Sequence, residues 1–302
     1  MARLKLGTGL RRFIRPETIW SLRRVLARQI RPPQFEPGEM VKCELPWGSE
    51  ILVQHDEYIG SVILSWLVFD LEVCELISRL SSPGELMIDV GANIGQMTSL
   101  LAACTGPEGQ VLSFEPHPVI FGHLEKNVGF WTSKLGHAKI SLFRSALGSE
   151  RGTASLKEES NFDVNPGLSS IVGSSEASHA HSVRVERLDE IEAAKAPAGV
   201  MKLDVEDYEL EVLKGAAGLM EASSIRDIVY EDHEGYPSQL SDFLERFGYT
   251  VFSLRLELMR PHLVPSTGQV RTTPNFLATL EPDRALSQFK GPGYSALRRK
   301  LP

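Results

Sequence analysis

Acidic residues stand at the ends of several short apolar runs, where a parallel sheet would present them to a ligand. Asp89 follows Leu86-Met87-Ile88 and leads into Val90-Gly91-Ala92-Asn93-Ile94-Gly95. Glu115 follows Val111-Leu112-Ser113-Phe114 and precedes Pro116, while Asp204 and Glu206 follow Val200-Met201-Lys202-Leu203. Glu231, Asp232 and His233 close the run Val229-Tyr230. A carboxylate in such a place can grip a cationic amino group, accept hydrogen bonds from neighbouring hydroxyls, or take a proton from one.

The spacing narrows the chemistry. Gly91 and Gly95 form a Gly-x-x-x-Gly turn, not the Gly-x-Gly-x-x-Gly that cradles a diphosphate, and a carboxylate at Asp89 would repel a pyrophosphate. The same carboxylate suits the amino group of an amino-acid-bearing nucleoside. Glu115 lies about 20 residues beyond the turn, the offset at which nucleotide-binding folds place an acid on the ribose hydroxyls. Pro116 helps to stop that strand. S-adenosylmethionine carries both groups and is the expected cofactor. Ser145 and Ala146, after the third strand, are candidates for its adenine edge, although a plain turn accounts for the neighbouring Gly148 equally well.

Asp204 should face the same crevice, because ligands of open parallel sheets lie beyond the carboxyl ends of the strands. Transfer of a group to a hydroxyl needs a base, and Asp204 and His233 are the two candidates. Glu206 and Glu231, with Ser169 and Ser170 from a polar loop, are expected to hold the acceptor. Glu209 and Glu211 suit the first turn of a helix. The same acids would also suit Mg²⁺, but no dedicated ligand spacing appears and no metal is expected.

Positioning these groups requires short strands alternating with helices. Strands are expected at 86–90, 111–115, 140–144, 200–204, 227–230, 250–254 and 276–280, and helices near 96–103, 120–130, 208–217 and 238–247. The alternation predicts an α/β fold, a mostly parallel Rossmann-like sheet of seven strands with helices on both faces. Ahead of it, 40–54 reads as a hairpin around Pro46-Trp47-Gly48-Ser49, followed by a helix at 71–80; this preface carries no chemistry in the sequence reading. Between the third and fourth main strands, 152–159 and 182–187 read as strands around a polar loop at 161–181, taken as the acceptor side. The expected organisation is a basic extension (1–33), a hairpin-and-helix preface (34–84), the main domain (85–284) and a basic tail (285–302).

With 42% hydrophobic and 24% charged residues among 302, the chain reads as globular rather than disordered. The net charge is −7, yet the first 31 residues carry Arg3, Lys5, Arg11, Arg12, Arg15, Arg23, Arg24, Arg28 and Arg31 against one acid, Glu17. The body is therefore acidic, which argues against nucleic acid as substrate. The basic stretch interleaves with Phe13, Ile14, Trp20 and Leu22 and would suit either peripheral contact with an anionic membrane or docking on the domain. Cys43, Cys74 and Cys104 form no CxxC pair, so neither a disulfide framework nor a zinc site is expected, and the cytoplasm is the expected compartment. The oligomeric state is not legible.

Taken in order, Asp89-Val90-Gly91-Ala92-Asn93-Ile94-Gly95, Phe114-Glu115-Pro116, Lys202-Leu203-Asp204-Val205-Glu206 and Leu213-Lys214-Gly215-Ala216 resemble the FkbM-type methyltransferases over about residues 60–280. The resemblance implies a class I methyltransferase fold whose last strand is antiparallel, and O-methylation of a sugar or other small hydroxylated acceptor. It also implies cofactor contacts at Asp89, Gly91, Asn93, Gly95 and Glu115, and an acidic motif at Asp204, Glu206 and Glu209. Asn165, Gly167, Ser169 and Ser170 are similar to the family's polar loop. One departure stands out: where the family has Glu-Gly-x-Glu, this chain has Glu206-Asp207-Tyr208-Glu209. The rival readings are a nicotinamide-dependent oxidoreductase, from the same turn and ribose acid, and a non-catalytic scaffold of the same fold.

Overall fold

The run Leu86–Val90 is apolar on both sides apart from Asp89, and all five of its residues are buried, as a central parallel strand requires. The computed structural model describes residues 35–131, 136–158, 169–172, 180–257, 260–270 and 273–298. The expected extension at 1–33, Asn165 and Gly167 of the polar loop, and the end of the basic tail lie outside these residues.

In chain order the described elements begin with β1 (Met40–Glu44), β2 (Glu50–Gln54), α1 (Tyr58–Trp66) and α2 (Leu71–Leu80). Then come β3 (Leu86–Val90), α3 (Gln96–Thr105), β4 (Gln110–Phe114), α4 (Pro118–Trp131) and β5 (Lys139–Phe143). An insertion follows, with β6 (Ala146–Leu147), β7 (Gly152–Glu158), β8 (Ser169–Val172) and β9 (Ala180–Glu186). The sheet resumes with β10 (Ala198–Leu203), α5 (Glu209–Gly215), α6 (Ala217–Glu221), β11 (Ile225–Glu231) and α7 (Gln239–Arg246). It closes with β12 (Thr250–Leu256), β13 (Pro261–Pro265), β14 (Asn275–Thr279) and α8 (Pro282–Gln288).

The main sheet runs β13-β12-β14-β11-β10-β3-β4-β5. β5, β4, β3, β10 and β11 are parallel, and β14 inserts antiparallel between β11 and β12. This is the class I methyltransferase arrangement. The seven expected strands are present, and the sheet has eight because β13, unread in the sequence, pairs antiparallel with β12 at the edge. Pro261 and Pro265 sit at its two ends, and an edge strand tolerates such residues because one side needs no ladder partner.

Side chains alternate between two cores. Met87, Val111, Val200, Val229 and Leu277 point to the face covered by the hairpin, α2 and α3. Leu86, Ile88, Leu112, Met201, Ile228 and Phe276 point to the face covered by α5, α6 and α7. Helix starts are fixed locally: Asp70 accepts from the Val73 N–H before α2, and Ser238 and Ser241 form a reciprocal capping box on α7.

The preface is pinned to the sheet's helices by polar side chains. The Asn127 amide caps both polar groups of Leu52, Trp131 Nε1 donates to the Glu50 carbonyl at 2.6 Å, and Trp47 Nε1 donates to Ser99 Oγ at 2.9 Å. The polar loop also contains more order than its composition suggests. Ser169–Val172 is a strand whose register sets Ser169 against Glu158 and Ser170 against Lys157, in a separate sheet ordered β6-β9-β7-β8. Pairing with β7 overrides the low strand propensity of the serines.

Candidate functional site

Chain connections leave β3 towards β4 on one side, while β10 lies on the other, so the gap beyond the ends of β3 and β10 is the topological switch point where such sheets bind ligands. A cavity of about 310 Å³ opens there. One end is lined by Gly91, Asn93, Phe114, Glu115, Pro116 and the Ser145–Ala146 segment, the other by Tyr58, Phe69, Asp70, Glu206, Glu231 and His233, with Lys202 and Asp204 between them.

The glycine turn is tied down on both flanks. Gly91 and Ala92 donate to the Phe114 carbonyl at 3.0 and 2.9 Å, and Asp204 N–H reaches the Val90 carbonyl at 3.3 Å. Gly91 has φ +76°, and a Cβ there would fall 1.8 Å from the Asp204 carbonyl oxygen, so the position admits no side chain. Gly95 is required for another reason. A Cβ would meet Leu124 Cδ1 at 2.6 Å and Trp131 at 3.0 Å, so its bareness serves helix packing behind the cavity.

Asp89, expected on the cofactor, stands behind the wall. It is wholly buried, accepts from Thr98 Oγ1 at 2.5 Å and lies 3.9 Å from Lys202 Nζ. Burial raises its pKa against the pull of Lys202 and Thr98. Lys202 is the neighbour that reaches the cavity, and its ammonium contacts the Gly91 carbonyl at 2.7 Å and Asp204 Oδ2 at 3.1 Å. Burial works against that charge, but Asp204 and Asp89 outweigh it and the Lys202 pKa is raised.

Glu115 is held by two backbone donors, Asn93 N–H at 2.9 Å to one oxygen and His117 N–H at 2.8 Å to the other. Each oxygen keeps further acceptor capacity, and the carboxylate has a fixed orientation on the cavity wall. Burial pushes its pKa up to about 7 despite these bonds. Asn93 supplies its N–H from a left-handed conformation, φ +50°. The Ser145 hydroxyl is engaged by Glu186 at 2.7 Å, so at Ser145–Ala146 it is the backbone and the Ala146 methyl that the cavity presents.

At the other end, Asp204, Glu206 and Glu231 bring oxygens within 4.8 Å of one another. Burial and the charges of Asp204 and Glu206 push Glu231 up to about 8, and burial with Asp204 raises Glu206 to about 7. Carboxylates so close hold protons into the neutral range. Their spacing would also admit a cation, and acid density is the sole observation in favour of one. His233 is more open, its side chain 60% exposed, with Nε2 3.6 Å from Glu231 Oε1. Glu209 turns inward instead, accepting from Val205 N–H at 3.0 Å, and Glu211 accepts from Ser149 and Lys214. Asp207, at the family's glycine position, has φ +66°, next to Glu206 at φ +52°. The departure from the family therefore replaces a glycine where the backbone is left-handed.

The sequence reading missed the wall formed by the preface. Tyr58, from α1, and Phe69 meet edge to face at 5.9 Å, and Gln96 fixes the Phe69 backbone through both of its polar groups at 2.8 Å. Asp70 joins this wall, its pKa raised to about 6 by burial. The apolar run 58–66 was not assigned to a helix, and nothing in its residue types marks a ligand.

The parallel order, the antiparallel last strand and a glycine turn flanked by strand-end acids define a class I methyltransferase. The model of the methyltransferase FkbM domain matches residues 89–251, more than half the chain, and the chain belongs to that family. It is 29% identical over 185 residues to the hexuronic acid methyltransferase AglP of Haloferax volcanii, an alignment covering 59% of this chain and 70% of that protein. It is 28% identical over 217 residues to the methyltransferase sdnD of Sordaria araneosa, covering 61% and 80%. Among solved structures, the methyltransferase FkbM from Methylobacillus flagellatus KT aligns with a TM-score of 0.41 at 18% identity over 73% of this chain, which spans 52% of that chain. Methyltransferase activity follows from the family, and the oxidoreductase alternative is not favoured. No helix among the described residues is long and apolar enough to cross a membrane.

Proposed function

We propose that this methyltransferase uses S-adenosylmethionine and delivers its methyl group to a hydroxyl of a small, sugar-like acceptor. The observation that carries the reading is Glu115, a buried carboxylate aimed by two backbone N–H groups at the cavity wall, one strand away from the glycine turn. The donor set fits the cofactor: a fixed acceptor pair suits two ribose hydroxyls, Phe114, Leu147 and Ala146 offer an apolar slot for a flat ring, and the cavity falls in the roughly 300–1,000 Å³ range of ligand sites. When bound, adenosylmethionine supplies an electrophilic methyl group on a sulfonium.

The chain's own part is to hold the acceptor and move a proton. Glu206 and Glu231 can accept from acceptor hydroxyls, and Tyr58 with Phe69 offers an aromatic flank for a ring's apolar face. The hydroxyl proton passes to Asp204 or His233, the two candidates on the wall, with Glu231 Oε1 3.6 Å from His233 Nε2. A sugar-like acceptor agrees with the hexuronic acid named for the Haloferax relative.

Calorimetric titration with S-adenosylmethionine and S-adenosylhomocysteine tests the donor half; binding of neither to folded protein refutes it. A labelled-methyl screen over sugars, lipids and polyketide-like alcohols tests the acceptor half, where methylation of a nitrogen or carbon in place of oxygen would overturn the assignment.

A further inference from the structure

We infer that Lys202 is a positioning residue for the donor: its buried ammonium clamps the glycine turn to the Asp204 carboxylate and so fixes the junction between the two ends of the cavity. The inference rests on the adenosylmethionine reading and assigns a role to a side chain that touches neither ribose nor adenine in that reading.

The geometry is saturated. An ammonium has three N–H donors, and Lys202 Nζ has three acceptors in front of it: the Gly91 carbonyl at 2.7 Å, Asp204 Oδ2 at 3.1 Å and the Val90 carbonyl at 3.4 Å. Val90 is the last residue of β3, Gly91 opens the turn that follows it, and Asp204 follows β10, so a single charge bridges both strand ends. In the sheet Lys202 pairs in register with Asp89, which places the two side chains next to each other on one face. Asp89 Oδ1 is buried without a hydrogen-bond partner, and its nearest positive charge is Lys202 at 3.9 Å. The lysine thus compensates a buried carboxylate behind it and orients a half-exposed one ahead of it. Asp204 has a side chain 37% exposed, held by Lys202 on one side and by a hydrogen bond with Glu231 on the other. The approach of the two strand ends is already too tight for a Cβ at Gly91, so a small loss of register there is transmitted directly to the cavity floor.

A plain core lysine would predict lost stability alone. A positioning lysine predicts that donor affinity falls in protein that remains folded and returns when a cation is put back. The test uses the full chain and titrates S-adenosylhomocysteine by calorimetry into wild type, Lys202→Met, Lys202→Ala and Lys202→Arg, with ligand-free melting temperatures as a second reading. Expected are an affinity at least ten-fold weaker in Lys202→Met, and an at least three-fold recovery in Lys202→Ala with millimolar ethylammonium that tetramethylammonium at equal ionic strength does not give. Lys202→Arg keeps the charge and should lie between wild type and Lys202→Met. Wild-type affinity in folded Lys202→Met, or no recovery with ethylammonium, overturns the inference. If both neutral variants fail to fold, Lys202→Arg decides: affinity weakened at least three-fold in folded protein supports the clamp, and wild-type affinity overturns it. Wild-type protein that binds no adenosylhomocysteine would sink the donor reading itself, a different outcome from any of these.

Discussion

Replacing Gly91 by alanine should separate close approach from mere backbone conformation. Gly248 is the comparison. It follows α7 in a helix-ending turn with φ +86°, and a Cβ there meets nothing within 4 Å. For Gly248→Ala the cost is conformational, roughly 1–2 kcal/mol for a left-handed alanine less about 0.4–1 kcal/mol from the stiffer unfolded chain. Gly91→Ala, at φ +76°, carries the same cost plus a clash, its Cβ falling 1.8 Å from the Asp204 carbonyl oxygen and 3.0 Å from its carbon, both backbone atoms. Relieving that overlap pushes the end of β10 away by more than an ångström, which adds about 1–3 kcal/mol of overpacking. It also breaks the Asp204-to-Val90 and Lys202-to-Gly91 bonds, about 1 kcal/mol each. The sum is about 3–6 kcal/mol for Gly91→Ala against about 1 kcal/mol for Gly248→Ala. At roughly 2 °C per kcal/mol for a chain of this size, Gly91→Ala should melt about 6–12 °C below wild type and Gly248→Ala about 2 °C below. Differential scanning fluorimetry gives both numbers, and titration with S-adenosylhomocysteine should show binding lost in the first variant and kept in the second. Two variants that melt within about 2 °C of each other, or a Gly91→Ala protein with intact binding, would refute the close approach of the two strand ends.

Glu115→Gln keeps one acceptor oxygen and turns an amide NH₂ towards one of the two backbone donors, so adenosylmethionine affinity measured by calorimetry should weaken by roughly 1–3 kcal/mol. Tyr58→Ala removes half of the aromatic flank; in steady-state kinetics the acceptor KM should rise several-fold while donor affinity is unchanged, and an unchanged KM would remove Tyr58 from the acceptor site. Burial, with the charges of Asp204 and Glu206, pushes the Glu231 pKa up to about 8 from the ordinary carboxyl value of 4.5. The folded state therefore holds that proton more tightly, and this contribution to stability is present below the unfolded value and lost as the pH rises through the folded one. Glu231→Gln lacks the titration, so its melting temperature relative to wild type should climb between about pH 5 and about pH 9; a constant difference would contradict the raised value.

Much of the sheet could be read directly. The strand at 86–90 and the helix at 71–80 coincide with the structure, and the FkbM resemblance drawn from four short segments is the family to which the chain belongs. Central parallel strands are legible because burial on both faces forces an uninterrupted apolar run, and strand-end acids stand out against it. β13 was illegible for the opposite reason: Pro261-His262-Leu263-Val264-Pro265 is short, proline-bounded and half exposed. Ser169–Val172 depends on a partner strand that its own residues do not announce. At the site, spacing found the carboxylates but not which of them line the cavity. Asp89 and Glu115 look equivalent in sequence, yet Asp89 is turned into the core by Thr98 and Lys202 while Glu115 is turned outward by Asn93 and His117. Lys202 lay inside a recognised motif without a role, because a single lysine near the end of an apolar strand gives no sign in sequence that its ammonium is buried between two acids.

The hairpin and first helix share the hydrophobic core on one face of the sheet, are fixed there by side-chain hydrogen bonds from Asn127, Trp131, Trp47 and Gln96, and bring Tyr58 and Phe69 to the cavity. Five of the residues lining the cavity, Tyr58, Ile59, Phe69, Asp70 and Val73, thus come from ahead of the sheet and not from its strand ends. Such a division lets a lineage retarget its chemistry by editing an appendage of a few dozen residues, and it makes residues 58–70 the place to graft a new preference while leaving the engine alone.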